Sequence, residues 1–224
     1  IQCHPNEIIL TSGGTEADNM AIVGTAYARR TEGNHIITTQ IEHHAVLHAC
    51  EKLEREGFQV TYLPVDKFGK VSVEDVKAAL QEDTILVTIM YGNNEVGTIQ
   101  PIAEIGALLK DHQAVFHTDA VQAYGLIDLN VADLQVDLLS VSAHKLNGPK
   151  GIGFLYAKQG TKLHPLLVGG SQEKKRRAGT ENIASTLGFA KAVELATASR
   201  EEKVAEYKKF KQLLIEQFEI SGID

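Results

Sequence analysis

The sequence predicts an α/β fold, a three-layer sandwich with a mostly parallel sheet. Three observations predict it. Short apolar segments alternate with amphipathic, helix-forming ones along the chain. Several of the apolar segments, such as Thr84 to Met90 (TILVTIM), carry almost no polar residue, as strands covered on both faces do. Polar or glycine-rich clusters follow directly after five of them, where ligands sit in such sheets.

The elements follow in order. Ile8-Ile9-Leu10 is a brief strand running into Thr11-Ser12-Gly13-Gly14-Thr15. Ala17 to Arg30 reads as a helix, with Glu16 and Asp18 suiting its positive N-terminal end. His35 to Thr39 is a β-branched strand, and His43 to Arg55 a helix stopped by Gly57. Val60 to Val65 is a strand and Asp66-Lys67-Phe68-Gly69 a turn. Ser72 caps a helix over Val73 to Leu80, with Asp75 at the capping-box position. After the strand at 84–90, Pro101 opens a helix to Lys110. Ala114 to His117, Leu138 to Val141 and Ile152 to Ala157 are three more strands. Glu181 to Phe218 is helix-forming almost throughout, with a break expected near Ser199.

Composition bounds the function. The 224 residues are 43% hydrophobic and 23% charged, which excludes disorder and collagen-like structure. With 22 Lys+Arg against 29 Asp+Glu the net charge is −7, which argues against non-specific nucleic-acid binding. No apolar run approaches the roughly 20 residues of a membrane span, and no signal peptide opens the chain. Two cysteines, Cys3 and Cys50, make no disulfide framework, so a reducing, cytoplasmic location is expected. The chain starts at Ile1 without a methionine, so its ends need not be native.

The strand-end clusters each admit two readings. Gly13-Gly14-Thr15 enters a helix, where free amides and a hydroxyl can hold a phosphate; it also suits a plain capped turn. Glu42-His43-His44 with His48 lacks a recognisable metal spacing, and His43 at a strand-to-helix corner can lie against a planar ligand or simply face solvent. Asp119, directly after a buried strand, needs a positive partner such as a protonated ring nitrogen, or serves as a helix cap; Gln122 lies three residues on. Lys145, in Ser142-Ala143-His144-Lys145, reads as a desolvated, nucleophilic amine able to form a Schiff base, or as a surface loop lysine. The basic run Lys174-Lys175-Arg176-Arg177 is either a solvated loop or a phosphate or subunit contact. For Cys3 and Cys50 a structural role is expected.

Together the stretches TSGGTEADNMAI, EHHAVLHAC, NNEVGTIQPI, HTDAVQAYG, SAHKLNGPKGIGFLY and GGSQEKKRRAGTENIAS, spanning Thr11 to Ser185, resemble the cysteine desulfurases of the NifS/IscS type, within the class V aminotransferase family of pyridoxal-phosphate enzymes. The resemblance implies the large domain of a fold type I pyridoxal-phosphate-dependent transferase, with pyridoxal 5'-phosphate as cofactor. It implies Lys145 as the Schiff-base lysine, Asp119 paired with the pyridine nitrogen, and His43 stacked on the ring, these three being catalytic. Gln122 would bond the ring's phenolic oxygen and Asn94 would sit near that oxygen and the substrate carboxylate. Gly14, Thr15, Ser142 and His144 would hold the phosphate. Thr180 would reach the phosphate of a neighbouring subunit, which implies a homodimer.

The activity implied is removal of sulfur from L-cysteine, leaving L-alanine and an enzyme-bound persulfide for iron–sulfur clusters or tRNA thiolation. A sulfur-acceptor or scaffold protein is the implied partner, with no direct nucleic-acid or membrane partner. In the family the nucleophilic cysteine and a substrate-carboxylate arginine lie beyond the GTENI segment, and neither Cys3 nor Cys50 occupies the nucleophile's place. The expectation is therefore a cofactor-binding large domain over residues 1–200 and, over 201–224, a helix leading to a small domain not included in this sequence; an N-terminal segment is expected to be missing as well. A selenocysteine lyase, a class V aminotransferase, or a non-catalytic dimerising or scaffold-binding fragment are the alternatives.

Overall fold

In a computed structural model, which describes residues 1–222, the seven predicted strands form one sheet. They are β1 (Ile8–Thr11), β2 (His35–Thr39), β3 (Gln59–Leu63), β4 (Thr84–Thr88), β5 (Val115–Asp119), β6 (Leu138–Ser142) and β7 (Gly153–Ala157). Their order is β1-β7-β6-β5-β4-β2-β3. Only β7 runs against the rest, pairing antiparallel with β1 and β6. The other six strands therefore end on one rim.

The helices are α1 (Gly14–Ala28), α2 (His44–Arg55), α3 (Val73–Ala79), α4 (Ile102–Leu109), α5 (Val131–Leu134), α6 (Ile183–Ala198) and α7 (Arg200–Ser221). Every residue of β2, β4, β5, β6 and β7 is buried, because helices cover both faces of the sheet. One core joins α1 and α2 to the sheet through Ile22, Val46, Leu53, Leu86 and Leu138. The other, on the opposite face, gathers Val87, Ile105, Phe116, Val141 and Phe189.

Local chemistry sets the ends. His43 caps α2 by accepting the Ala45 N–H at 3.1 Å, and Gly57, at φ 93°, carries the chain away past the Glu56 cap. Ser72 caps α3 by accepting the Asp75 N–H at 3.3 Å and donates its hydroxyl to Glu74 at 3.0 Å; the Asp75 carboxylate does not take the Ser72 N–H, so the reciprocal half of the expected box does not form. The break at Ser199 is present, where the hydroxyl bonds back to the Leu195 carbonyl at 2.9 Å. Of the expected 201–224 segment, α7 forms through Ser221, and residues 223–224 lie outside the described residues. The four-residue α5 is too short to carry a periodic signal. Among the described residues no helix is long and apolar enough to cross a membrane.

Two expectations need correction. Asp18 does not decorate the helix start: it is 2% exposed, turned into the sheet. The basic run is solvated only in its first half: Lys174 and Lys175 are exposed, while the two arginines are held within the chain. Arg176 donates to the carbonyl of Asn6 at 3.0 Å, and Arg177 grips Glu16 through Nε at 2.7 Å and Nη2 at 3.1 Å.

Candidate active site

Five strand ends of the common rim enclose a pocket of about 210 Å³ lined by Gly14, Thr15, Asp18, His43, Met90, Asn94, Asp119, Val121, Gln122, Ser142, His144 and Lys145. Nine of the ten sequence-predicted site residues are among them. Thr180 is not: it lies in a separate cleft of about 160 Å³ with Ser12, Arg177 and Asn182. A larger groove, of about 960 Å³, follows the opposite rim. Its charges are engaged with each other, as in Arg29–Glu32 and Lys158–Asp137, so it presents no convergent polar set.

The turn after β1 opens the pocket floor. Gly13 sits at φ 148°, which side chains rarely adopt. A Cβ on Gly14 would lie 2.8 Å from Val121 Cγ2, so the two glycines allow close approach to the first amides of α1. An anion placed there meets free N–H groups and the positive end of a 15-residue helix. Across the floor, Ser142 Oγ lies 2.8 Å from His144 Nδ1. Partial burial and the nearby Lys145 and Lys150 lower the His144 pKa.

Asp119 ends β5 and is buried, with the Val121 N–H donating to Oδ1 at 2.9 Å. Burial raises its pKa; the Val121 bond and the positive fields of His43 and Lys145 oppose that shift. Below the corner bearing His43, Glu42 accepts the Thr39 hydroxyl at 2.6 Å and the Met90 N–H at 3.0 Å. Burial pushes its pKa up to about 8. Asn93 builds the turn after β4 by accepting the N–H groups of Glu95 and Val96, both at 2.8 Å, which leaves Asn94 exposed at the pocket.

Lys145 lies in a 3-10 turn, Ala143–Leu146, closed by Asn147 in the left-handed region. It is exposed, so the expected desolvation is absent: the turn lifts the side chain off the strand and out of the core. What distinguishes it from a loop lysine is its place, lining the same pocket as a buried carboxylate.

Asp18, Met90 and Val121 were not singled out as site residues. Asp18 left a signal: it sits in a helix whose next eight residues are almost all apolar or small, so the helix is buried nearly all round and a carboxylate early in it need not face solvent. Neither cysteine lines the pocket; Cys50 is fully buried in α2, with its thiol pKa raised by burial, and Cys3 is half-buried elsewhere.

The arrangement fits a flat, anionic-tailed cationic heterocycle with an electrophilic group. The glycine cradle takes the anion, the buried acid floor has no protein cation of its own at Asp18 Oδ1, and an amine stands at the rim.

Known proteins place this geometry. The family model described as Aminotransferase class-V matches residues 1–221. A putative cysteine desulfurase, IscS 1 of Bacillus subtilis strain 168, is 62% identical over 217 residues, which cover 97% of this chain and 57% of that protein. Among solved structures, a NifS-like protein superposes with a TM-score of 0.92 at 40% identity, covering 95% of this chain and 59% of the other. SspA, solved in complex with cysteine, superposes at 0.83 with 42% identity, covering 92% and 61%. The chain thus spans a little over half the length of the curated relative it matches.

Proposed function

The chain belongs to the class V aminotransferase family, and on that premise we propose that it forms the pyridoxal 5'-phosphate site of a cysteine desulfurase acting on L-cysteine. The observation that carries the reading is that an amine, Lys145, and a buried acid, Asp119, line one pocket beside a glycine-lined helix start. The names of the relatives favour sulfur removal over selenium removal or amino exchange.

When bound, the cofactor supplies an electron sink for the substrate's α-carbon. The chain's residues prepare and use it. Gly14, Thr15, Ser142 and His144 hold the phosphate. Asp119 keeps a proton on the ring nitrogen, because its buried charge is satisfied only by a cation. His43 would cover the ring face, while Gln122 and Asn94 would orient the ring oxygen and the substrate carboxylate. The Lys145 amine would hold the cofactor through its aldehyde carbon and, when free, would move protons at the substrate α-carbon. Thr180, outside this pocket, is assigned to the phosphate of a second copy, hence a homodimer. Neither Cys3 nor Cys50 is placed to receive sulfur, so the reading assigns that step to another thiol, followed by a sulfur-acceptor protein.

The test is to add pyridoxal 5'-phosphate, reduce with borohydride and locate the label by mass spectrometry. The label is expected on Lys145 and absent from Lys145→Ala. Labelling that survives the substitution, or no labelling at all, sinks the reading. For the longer protein, with excess dithiothreitol present to reduce the persulfide, alanine and sulfide should form from L-cysteine in equal amounts.

A further inference from the structure

We propose that Asp18 is the second acid of this site: it holds a proton where Asp119 does not, so that the two carboxyls present one negative charge, not two, to a cationic heterocycle. This deepens the cofactor reading above and rests on it for its purpose, though not for its observations.

Asp18 lines the pocket with Asp119, is 2% exposed, and its Oδ1 has no hydrogen-bond partner in the protein. The groups facing it come from four elements. From β5 come Asp119 and His117, whose Nε2 lies 3.7 Å from Asp18 Oδ1. Ser140 of β6 favours its charged form, and Glu42, at the corner after β2, opposes it. His43 and Lys145, exposed at the pocket mouth, act on Asp119 instead. From its own helix, the positive end of α1 favours charge, but those amides point at the pocket's anion position.

The one candidate cation next to Asp18 is His117, and it is neutral. Its Nδ1 lies 2.8 Å from Thr88 Oγ1 and its Nε2 2.9 Å from Ser140 Oγ, an alternation that hydroxyls complete without a second ring proton. Burial pushes its pKa down to about 3. A carboxylate buried with no cation and two acidic neighbours is too costly, so the group takes up a proton. Burial, Asp119 and Glu42 all push in that direction. The environments of the two aspartates therefore separate them into one acid and one base. With Asp119 ionised and a ring cation bound, the buried site is neutral; a charged Asp18 would leave it with an excess negative charge.

The experiment compares the chain with Asp18→Asn, first without cofactor. At neutral pH the infrared carboxylic-acid stretch of the unsubstituted chain should lose one component in the variant. Urea unfolding across pH should show the folded-to-unfolded ratio of the unsubstituted chain falling about tenfold per pH unit relative to the variant. That fall begins above the ordinary aspartate pKa of about 4, because only the folded state keeps this proton. On adding pyridoxal 5'-phosphate the Asp18 component should persist. An unchanged acid band, parallel stability profiles, or loss of the Asp18 component on cofactor binding would each overturn the proposal. If Asp18→Asn does not fold, Asp18→Ser takes its place in the same measurements. Should Lys145 fail to take a cofactor label, the functional reading falls, while the cofactor-free band and slope decide the acid pair by themselves.

Discussion

The central strands turn two unlike faces to the two helical layers. Toward α3, α4 and α6 they show Val87 and Ile89, Phe116, and Leu139 and Val141, with Thr118 the polar intruder. Toward α1 and α2 each strand grades from apolar to polar as it nears the pocket: Leu86 to Thr88, Val115 to His117 and Asp119, Leu138 to Ser140 and Ser142. Both faces are equally buried, so burial does not separate structure from function here. The difference is that one face is closed by dispersion and apolar area, and the other by proton positions that a bound cation completes.

Substitutions on the two faces should therefore fail differently. The largest loss of stability belongs to the apolar face. Phe116→Ala is expected to cost about 3–5 kcal/mol in urea unfolding, since a fully buried ring leaves a cavity. On the other face Asp119→Asn should leave cofactor-free stability level or raised, because a buried charge is removed, yet weaken pyridoxal 5'-phosphate binding. The loss of a charge-assisted bond is worth about 2 kcal/mol, or roughly thirtyfold in Kd. A destabilised Asp119→Asn with unchanged Kd would erase the contrast.

The pH profile sharpens it further. Glu42 is pushed up to about 8 and Asp18 is also raised, so the folded state binds protons that the unfolded state has released. Their contribution is complete below about pH 4 and is lost as pH rises, for Glu42 through about 8. His117 works the other way: pushed down to about 3, it costs stability as pH falls below about 6.5. Below that value the histidine and one acid cancel. Above it only the acids act, and stability should decline toward pH 8 by about 1.4 kcal/mol per pH unit for each acid that keeps its proton in the folded state, Glu42 first among them. Glu42→Gln, which keeps an oxygen for Thr39 and Met90, should remove one such slope; a profile identical to the unsubstituted chain would show that Glu42 is ionised when folded.

Most of this was legible in the residues. Alternating apolar and amphipathic segments fixed the strands and helices, and clusters after five strands named nine of the pocket's twelve residues. The rest failed for physical reasons. An acid in the second turn of a helix looks the same whether it faces solvent or the sheet, and α1, buried nearly all round, has no apolar stripe to tell the two apart, so Asp18 reads as a dipole partner. Strand direction leaves no periodic trace, so the reversal of β7 was silent. The exposure of Lys145 depends on a 3-10 turn closed by a left-handed Asn147, which no apolar pattern encodes.

The basic run gives the smallest and most local effect. Glu16 projects from the first turn of α1, two residues after Gly14, and accepts the Ser12 N–H at 2.6 Å as well as both arms of Arg177. The pair therefore ties the phosphate-side turn to the loop carrying Thr180, three residues beyond Arg177. Arg177→Lys keeps the charge but loses the two-pronged geometry. Because the pair is partly exposed, the expected cost is only about 0.5–1 kcal/mol, reduced further in high salt. The informative readout is amide exchange: residues 177–180 should exchange faster while the buried strands β5 and β6 do not change. Faster exchange in the strands as well would mean that Arg177 supports the core and not the loop alone.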